Sequence, residues 1–406
     1  MVLSMWAMAL AAAAASTPAP AREVSPSDRL LHEQTIVLDT HLDTPMLLER
    51  PGYVFGDRHH YSWDLTQVDL PRMEQGGLDG GFFVIYIGQG PLTPEGFADA
   101  RDRALLRAMA IQRMVAAYPD KLSLATKAED AVRISTEGKR VVYQSIENSY
   151  PLGGDLGLLD TFYKLGVRMA GPVHSRNNQF ADSATDIPRW QGLSQLGREW
   201  VTKMNRLGMI IDASHSSDQV FDQMMELSKT PIILSHSGPK AIFNHPRNLD
   251  DERMRKLATA GGVLQLNSIY LVQHDTSDER DAIESRQGKF ETLSPGERRA
   301  MLGDKAALDA RRPYTTANFD LFMKSLLHAI KVMGVDHVGI GADWDGGGGV
   351  IGMEDVADLP RITAALKKAG YSDTDVAKIW SGNVLRLLKQ AEDYAARTKE
   401  NGPASN

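Results

Sequence analysis

The sequence predicts an α/β fold, a (β/α)8 barrel of the TIM type, on three observations. Eight short apolar or β-branched runs recur after residue 30, most of the segments between them have helical period, and 406 residues suit such a barrel with insertions. The runs are 35–38, 81–87, 141–146, 167–170, 209–213, 232–234, 263–266 and 337–340. Between them, 195–207 carries Leu196, Trp200, Met204 and Leu207, and 219–227 carries Val220, Phe221, Met224 and Leu227. Apolar residues three or four apart make one face of a helix. Strands alternating with helices favour a parallel sheet, and eight of them favour a closed one. A doubly wound open sheet is the alternative on the strand count alone.

Residues 22–390 read as one barrel domain with two insertions, at 48–75 and 273–315. The first is rich in Pro, Gly and aromatics, the second in charge. Both follow strand runs, so in a barrel they lie on the face where loops carry function, although a solvated helical insertion is the plainer reading of the second. Residues 391–406 read as a polar tail. Residues 1–21 are apolar and Ala-rich and end in Ala19-Pro20-Ala21, the texture of a secretory signal peptide, though no Lys or Arg precedes the apolar run. The expectation is an exported protein, periplasmic or secreted, with no integral membrane span.

Composition narrows the chemistry. The chain is 42% hydrophobic and 24% charged with a net charge of −7, and it has no basic stripe or polybasic anchor, so nucleic acid is not an expected partner. Cysteine is absent, which excludes disulfides, thiolate metal sites and a cysteine nucleophile. Any metal must be held by His, Asp or Glu.

Those residues stand at the strand ends. The first run leads into "VLDTHLDTP", with His41 and Asp43 two apart, the spacing that points alternate strand residues the same way. The third ends in Glu147; His174 follows the fourth, His215 the fifth and His236 the sixth; the eighth leads to Asp343 and Asp345 in "GADWDGGGG". One strand-end His or Glu is usually structural, and the glycines alone read as a turn. Together they converge, because strand C-termini share one face of a barrel. Three His, one Asp and one Glu make a thiolate-free set suited to zinc or a similar ion, and five ligands suit two metals sharing a carboxylate. That makes the barrel one of the metal-dependent hydrolase kind.

The stretches "DTHLDTP", "SIEN", "GVRMAGPVHSRNNQFADS", "GLSQLGREWVTKMNRLGMIIDASHSS", "PIILSHSGPKAIFNHPRNLDDE", "VGIGADWDG" and "SGNVLRLL" resemble the membrane (renal-type) dipeptidase family, in order over roughly residues 33–390. The resemblance implies a zinc-dependent dipeptidase acting through a metal-bridging hydroxide on small peptides, with tolerance for a D-residue at the C-terminal position. It implies two Zn2+ per chain: His41 and Asp43 on one, His215 and His236 on the other, Glu147 bridging. It makes His174 a contact for the scissile carbonyl or oxyanion, Arg247 the holder of the substrate carboxylate and Asp343 the general base and acid. The family's habit of dimerising allows a homodimer.

Two departures bear on substrate. Asn148, Tyr150 and Pro151 follow the bridging glutamate where the family has a small residue, and no aromatic stands directly after Asn267. They leave room for a tailoring amidohydrolase acting on a modified peptide, lactam or other amide. A catalytically silent binding or scaffold barrel is the third reading, opposed by the full set of site residues. Among the rest, His59 and His60 read as surface residues, His245 as a neighbour of Arg247, and His32, His274, His328 and His337 as structural or solvated. Asp39 and Asp345 read as groups that orient ligands or backbone. Trp344 either walls the pocket or packs.

Overall fold

Inward-facing apolar residues stand near the start of seven of the eight ring strands. The computed structural model describes residues 24–400, in which nine strands all run parallel: β1 Leu38–Leu42, β2 Gly80–Tyr86, β3 Leu122–Leu124, β4 Arg140–Glu147, β5 Val167–Ala170, β6 Ile210–Ile211, β7 Ile233–Ser237, β8 Val263–Leu266 and β9 Val338–Ile340. Eight of them form the ring β1-β2-β4-β5-β6-β7-β8-β9. Its continuous ladders run from β1 to β6 and from β7 to β9. Single bridges join these two arcs. Ala213 N–H donates to Ile233 O at 2.8 Å between β6 and β7, and Asp43 N–H donates to Trp344 O at 2.9 Å between β9 and β1. The predicted barrel is the observed one, and the open sheet is set aside.

All eight predicted runs meet a strand of the ring. The ninth strand, β3, escapes sequence reading because "LSL" is too short to show a period. It pairs with the first half of one edge of β4, and β5 takes the second half of that edge from Gln144 onward.

The barrel floor is apolar. Leu38, Phe82, Val141, Tyr143, Met169, Ile210, Ile233 and Val263, drawn from seven strands, pack with Val384, Leu387 and Leu388 of the helix Asn383–Glu400. Each side chain so buried contributes about 1.5–3 kcal/mol. The eighth strand offers Gly339 instead, where a Cβ would lie 1.9 Å from Gln265 Oε1. Along β4 the inward positions continue from Val141 and Tyr143 to Ser145 and Glu147, so one strand runs from apolar floor to charged rim.

The C-terminal helix corrects one expectation. Residues 391–400, read as part of a polar tail, are helical, and Ala391 and Ala395 are buried there. Their apolar content is small Ala side chains among charges, so the pattern looks like tail. Residues 401–406 and the leader-like residues 1–21 lie outside the described residues.

The two insertions meet each other. The first holds short helices Tyr61–Asp64 and Leu70–Gly76, the second holds helices Asp278–Gln287 and Pro295–Arg311, and Ser294 and Glu297 form a capping box on the last. Leu65 of the first packs with Ile283, Phe290, Met301 and Leu308 of the second in a separate small core.

His32 ties the N-terminal helix Pro26–Gln34 to the far end of the chain. Trp380 Nε1–H donates to Thr363 Oγ1 (2.8 Å), Thr363 Oγ1 donates to His32 Nδ1 (2.8 Å), and His32 Nε2–H donates to Gly76 O (2.8 Å). A carbonyl only accepts, so the single proton of the neutral imidazole sits on Nε2 and leaves Nδ1 to accept. Burial pushes the His32 pKa down to about 4 from 6.5. Between those values the unfolded chain binds the proton that the folded one excludes, so stability is full above pH 6.5 and falls with falling pH, by about 3 kcal/mol at pH 4. Urea midpoints measured from pH 7 to pH 4 are expected to fall less steeply in His32→Gln than in the parent, and parallel profiles would refute this role.

Candidate metal centre and active site

The strand ends gather their polar groups around the Glu147 carboxylate. Its Oε1 lies 2.8 Å from His215 Nε2, 3.3 Å from His236 Nε2 and 3.8 Å from His174 Nε2. Its Oε2 lies 3.6 Å from His41 Nε2, which is 3.5 Å from Asp43 Oδ2. Donor atoms within 4.8 Å of one another form three overlapping groups: His41, Glu147 and His236; Glu147, His174 and His215; His41, Asp43 and Asp343. All eight site residues expected from sequence therefore come together, counting Arg247, whose guanidinium donates to His236 O at 3.1 Å and to Ser237 Oγ at 3.4 Å.

Local backbone shapes these ends. Asn148 (φ 66°), His215 (φ 64°), Asp343 (φ 69°) and Asp345 (φ 64°) adopt the left-handed conformation. For non-glycine residues that costs on the order of 1–3 kcal/mol each, and such strain concentrates at functional sites. β1 has a register shift between Asp39 and Leu42, just where His41 enters the site. Asp39 holds that bend by accepting from His41 N–H (2.8 Å) and Ala342 N–H (3.0 Å). Asp345 accepts from Thr44 Oγ1 (2.7 Å) and Gln67 N–H (2.6 Å), fastening the glycine loop to the first insertion. Asp39 serves backbone, Asp345 a hydroxyl and backbone, and neither bonds an imidazole.

Electrostatics make the cluster a cation site. Burial, and then the charges of neighbouring Arg247 and His174, holds the His215 pKa far below the usual imidazole value. Burial and then His41 do the same to His236. Both rings are neutral, and their Nε2 atoms lie 2.9 Å apart. Burial would lower His41 too, but Glu147 and Asp43 outweigh it and hold it well above its usual value. Burial would raise Glu147, but His174 and His41, with the His215 and His236 rings against its Oε1, hold it ionised. His41 Nε2 and Asp43 Oδ1 are buried without a hydrogen-bond partner. Imidazole lone pairs and carboxylate oxygens packed this closely, with orphaned donor atoms among them, fit a divalent cation of the zinc type.

Asp343 is pushed up to about 8 by burial, with Asp43 and Glu147 adding to the shift against His41 and Arg247. A bound cation favours the charged forms of all these groups. His174 is the most open of the imidazoles, its side chain 28% exposed, with Nδ1 2.8 Å from Ser175 Oγ.

Sequence reading missed the supports. Asp212 Oδ2 accepts from Ser235 Oγ at 2.5 Å, so the Ser235 lone pair takes His236 Nδ1–H at 2.8 Å, and the His236 Nε2 lone pair faces the cluster. The signal was present, Asp212 at an inward strand position and Ser235 beside a ligand, but serine before histidine carries little weight alone. Tyr86 and Tyr270 were also missed: Tyr86 OH lies 3.4 Å from His174 Nδ1, and the Arg247 guanidinium stands 5.1 Å above the Tyr270 ring.

Other candidates resolve as packing. His59 stacks on Tyr53 and contacts Asp64, and His60 caps the helix Tyr61–Asp64. His274, His328 and His337 bond Ile269 O, Asp251 and Gly262 O. His245 stacks between Phe243 and Tyr270, and its Nδ1 accepts from Arg247 N–H at 3.2 Å. Trp344 is fully buried. Tyr150 is buried too, its hydroxyl donating to Pro91 O, while Asn148 accepts from Asn178. Tyr270, three residues after Asn267, lies against Arg247 and His245.

Comparison with known proteins agrees with this geometry. The sequence profile described as membrane dipeptidase, peptidase family M19, matches residues 27–402. The chain belongs to that family. It is thereby a metal-dependent hydrolase of the dipeptidase kind. It is 32% identical to dipeptidase tcpJ of Claviceps purpurea over 352 residues, 84% of this chain and 74% of that one. Among solved structures, the probable dipeptidase PvdM from Pseudomonas aeruginosa superposes with a TM-score of 0.78 at 31% identity, covering 91% of this chain and 98% of the other. A metallopeptidase from Rhodobacter sphaeroides, liganded with a phosphinate mimic of L-Ala-D-Ala, gives 0.70 at 26% identity, covering 88% and 99%.

Removing the Ser235 hydroxyl frees the His236 ring to turn or change tautomer. Ser235→Ala is expected to weaken zinc binding about 10–100-fold in competition with a chelator at unchanged circular dichroism. Unaltered affinity would exclude the Asp212–Ser235 support.

Proposed function

We propose that the protein is a zinc dipeptidase that holds two zinc ions between its strand ends. The observation that carries the reading is Glu147: its two oxygens face different sets of donors, Oε2 toward His41 and Oε1 toward His215 and His236. That suits a carboxylate shared by two ions, one on His41 and Asp43 and the other on His215 and His236. When bound, zinc supplies Lewis-acid polarisation of the peptide carbonyl and a nucleophilic water at neutral pH.

The chain's own groups do the rest. Arg247 is fixed by His236 O, Ser237 and the Tyr270 ring, and its planar fork suits the substrate's C-terminal carboxylate. That anchor sets the length of peptide that reaches the carboxylates. His174, with one face open to the cleft, donates to the carbonyl oxygen as negative charge develops there. Asp343 takes the proton of the attacking water and passes it to the leaving amine. The L-Ala-D-Ala mimic bound by the Rhodobacter sphaeroides relative supports a C-terminal D-residue as substrate here. Export belongs to the proposal as well and rests on residues 1–21. Among the described residues no helix is long and apolar enough to cross a membrane.

Release of free amino acids from L-X–L-X and L-X–D-X dipeptides is expected with zinc, is expected to stop on chelation and to return on zinc addition. No turnover by a folded, zinc-loaded sample would refute the reading. Arg247→Lys keeps the charge and loses the fork. It is expected to lower kcat/KM about 10–100-fold, mainly through KM, as the loss of a charge-assisted hydrogen bond of about 1.5–3 kcal/mol requires.

A further inference from the structure

β2 ends at Tyr86, at the rim of the barrel. Along the β2–β4 ladder Phe82 pairs with Tyr143, Val84 with Ser145 and Tyr86 with Glu147. Phe82 and Tyr143 stack in the apolar floor, 4.9 Å apart, so these alternate residues all face inward. The Tyr86 phenol therefore stands beside the Glu147 carboxylate. Its ring rests on His174, with centroids 4.8 Å apart at 54°, and His174 in turn meets the ring of His215 at 4.2 Å. Such contacts fix the plane of the His174 imidazole.

Two hydroxyls reach His174 Nδ1: Ser175 Oγ at 2.8 Å and Tyr86 OH at 3.4 Å. Ser175 is exposed, and its hydroxyl both gives and accepts. Among the described residues Nδ1 is the one hydrogen-bonding partner of the Tyr86 hydroxyl, and a phenol gives its proton more readily than a serine does. At 3.4 Å the contact is longer than an ideal bond, as catalytic hydrogen bonds often are before substrate closes on them. The other ring nitrogen, Nε2, lies 3.8 Å from Glu147 Oε1. A neutral imidazole holds one proton, and whichever nitrogen lacks it accepts. With the phenol proton at Nδ1, the ring's own proton is at Nε2, on the side of the carboxylate.

We propose that Tyr86 is a positioning residue for His174: its hydroxyl donates to Nδ1 and so keeps the His174 proton on Nε2. This rests on the proposed dipeptidase reading and extends it, because the carbonyl oxygen of a cleaved peptide needs a donor from Nε2 as its charge develops. Without the phenol proton, Ser175 accepts from Nδ1–H, and Nε2 turns a lone pair toward Glu147 and the oxyanion. Tyr86 itself touches no reacting atom. It acts through the imidazole alone.

Tyr86→Phe keeps the ring and removes the hydroxyl. In zinc-loaded protein carrying 15N-labelled histidine, NMR reads which nitrogen of His174 is protonated, with His174→Gln identifying its signals. The parent is expected to show the Nε2–H form, Ser175→Ala to keep it, and Tyr86→Phe to gain an Nδ1–H fraction. An Nδ1–H parent, a Ser175→Ala that alone switches the form, or a Tyr86→Phe spectrum like the parent's overturns the proposal. This measurement needs no turnover, so it stands or falls apart from the dipeptidase reading. In kinetics on alanyl-alanine, Tyr86→Phe is expected to lower kcat about tenfold with KM within about twofold. In a His174→Ala background the same change is expected to cost nothing further. An equal loss in both backgrounds means that Tyr86 acts without His174 and overturns the proposal.

Discussion

The carboxylate of Glu147 is the group on which the site depends. It is buried at the rim of the barrel, ionised, and surrounded by four imidazoles. A buried charge is costly unless it is compensated, and here the compensation comes from four other strand ends at once. Each contributor must arrive at a fixed place, which the parallel barrel guarantees because its strand ends share one face. The left-handed turns at Asn148, His215 and Asp343 and the bend at Asp39 are the local distortions that aim those side chains. The fold tolerates their cost because the apolar floor beneath, closed by Leu387 and Leu388, is complete.

The two insertions add a second layer over the same face. They have a core of their own, joined through Leu65, and are fastened to the site through Asp345 and Gln67.

Much of this was legible in the sequence, for physical reasons. Apolar runs mark the eight strands of the ring, and ligands at their ends are marked by such a run stopping at His, Asp or Glu. Tertiary supports leave no such mark. The pairing of Ser235 with Asp212 joins residues 23 apart, and the stacking of Tyr270 on Arg247 depends on where a loop turns. β3 is too short to declare itself, and the last helix disguises itself as a tail because it buries only alanines on part of its face. Asn148 and Tyr150 are buried, bonded to Asn178 and Pro91. A cavity of about 610 Å³ lies against the charged second insertion, a segment whose composition fits a lid or partner surface as well as a solvated helix.

The ring of strands is two arcs held by single bridges, one between β6 and β7 and the other between β9 and β1. His215 and His236 flank the first seam, and His41, Asp43 and Asp343 flank the second. An ion on either set would act as a rivet across a joint that the backbone alone fastens with few bonds. Metal binding and barrel closure are then one mechanical event: the catalytic ions would also be the clasps of the hoop, and a molecule deprived of them would be slackest where its chemistry occurs.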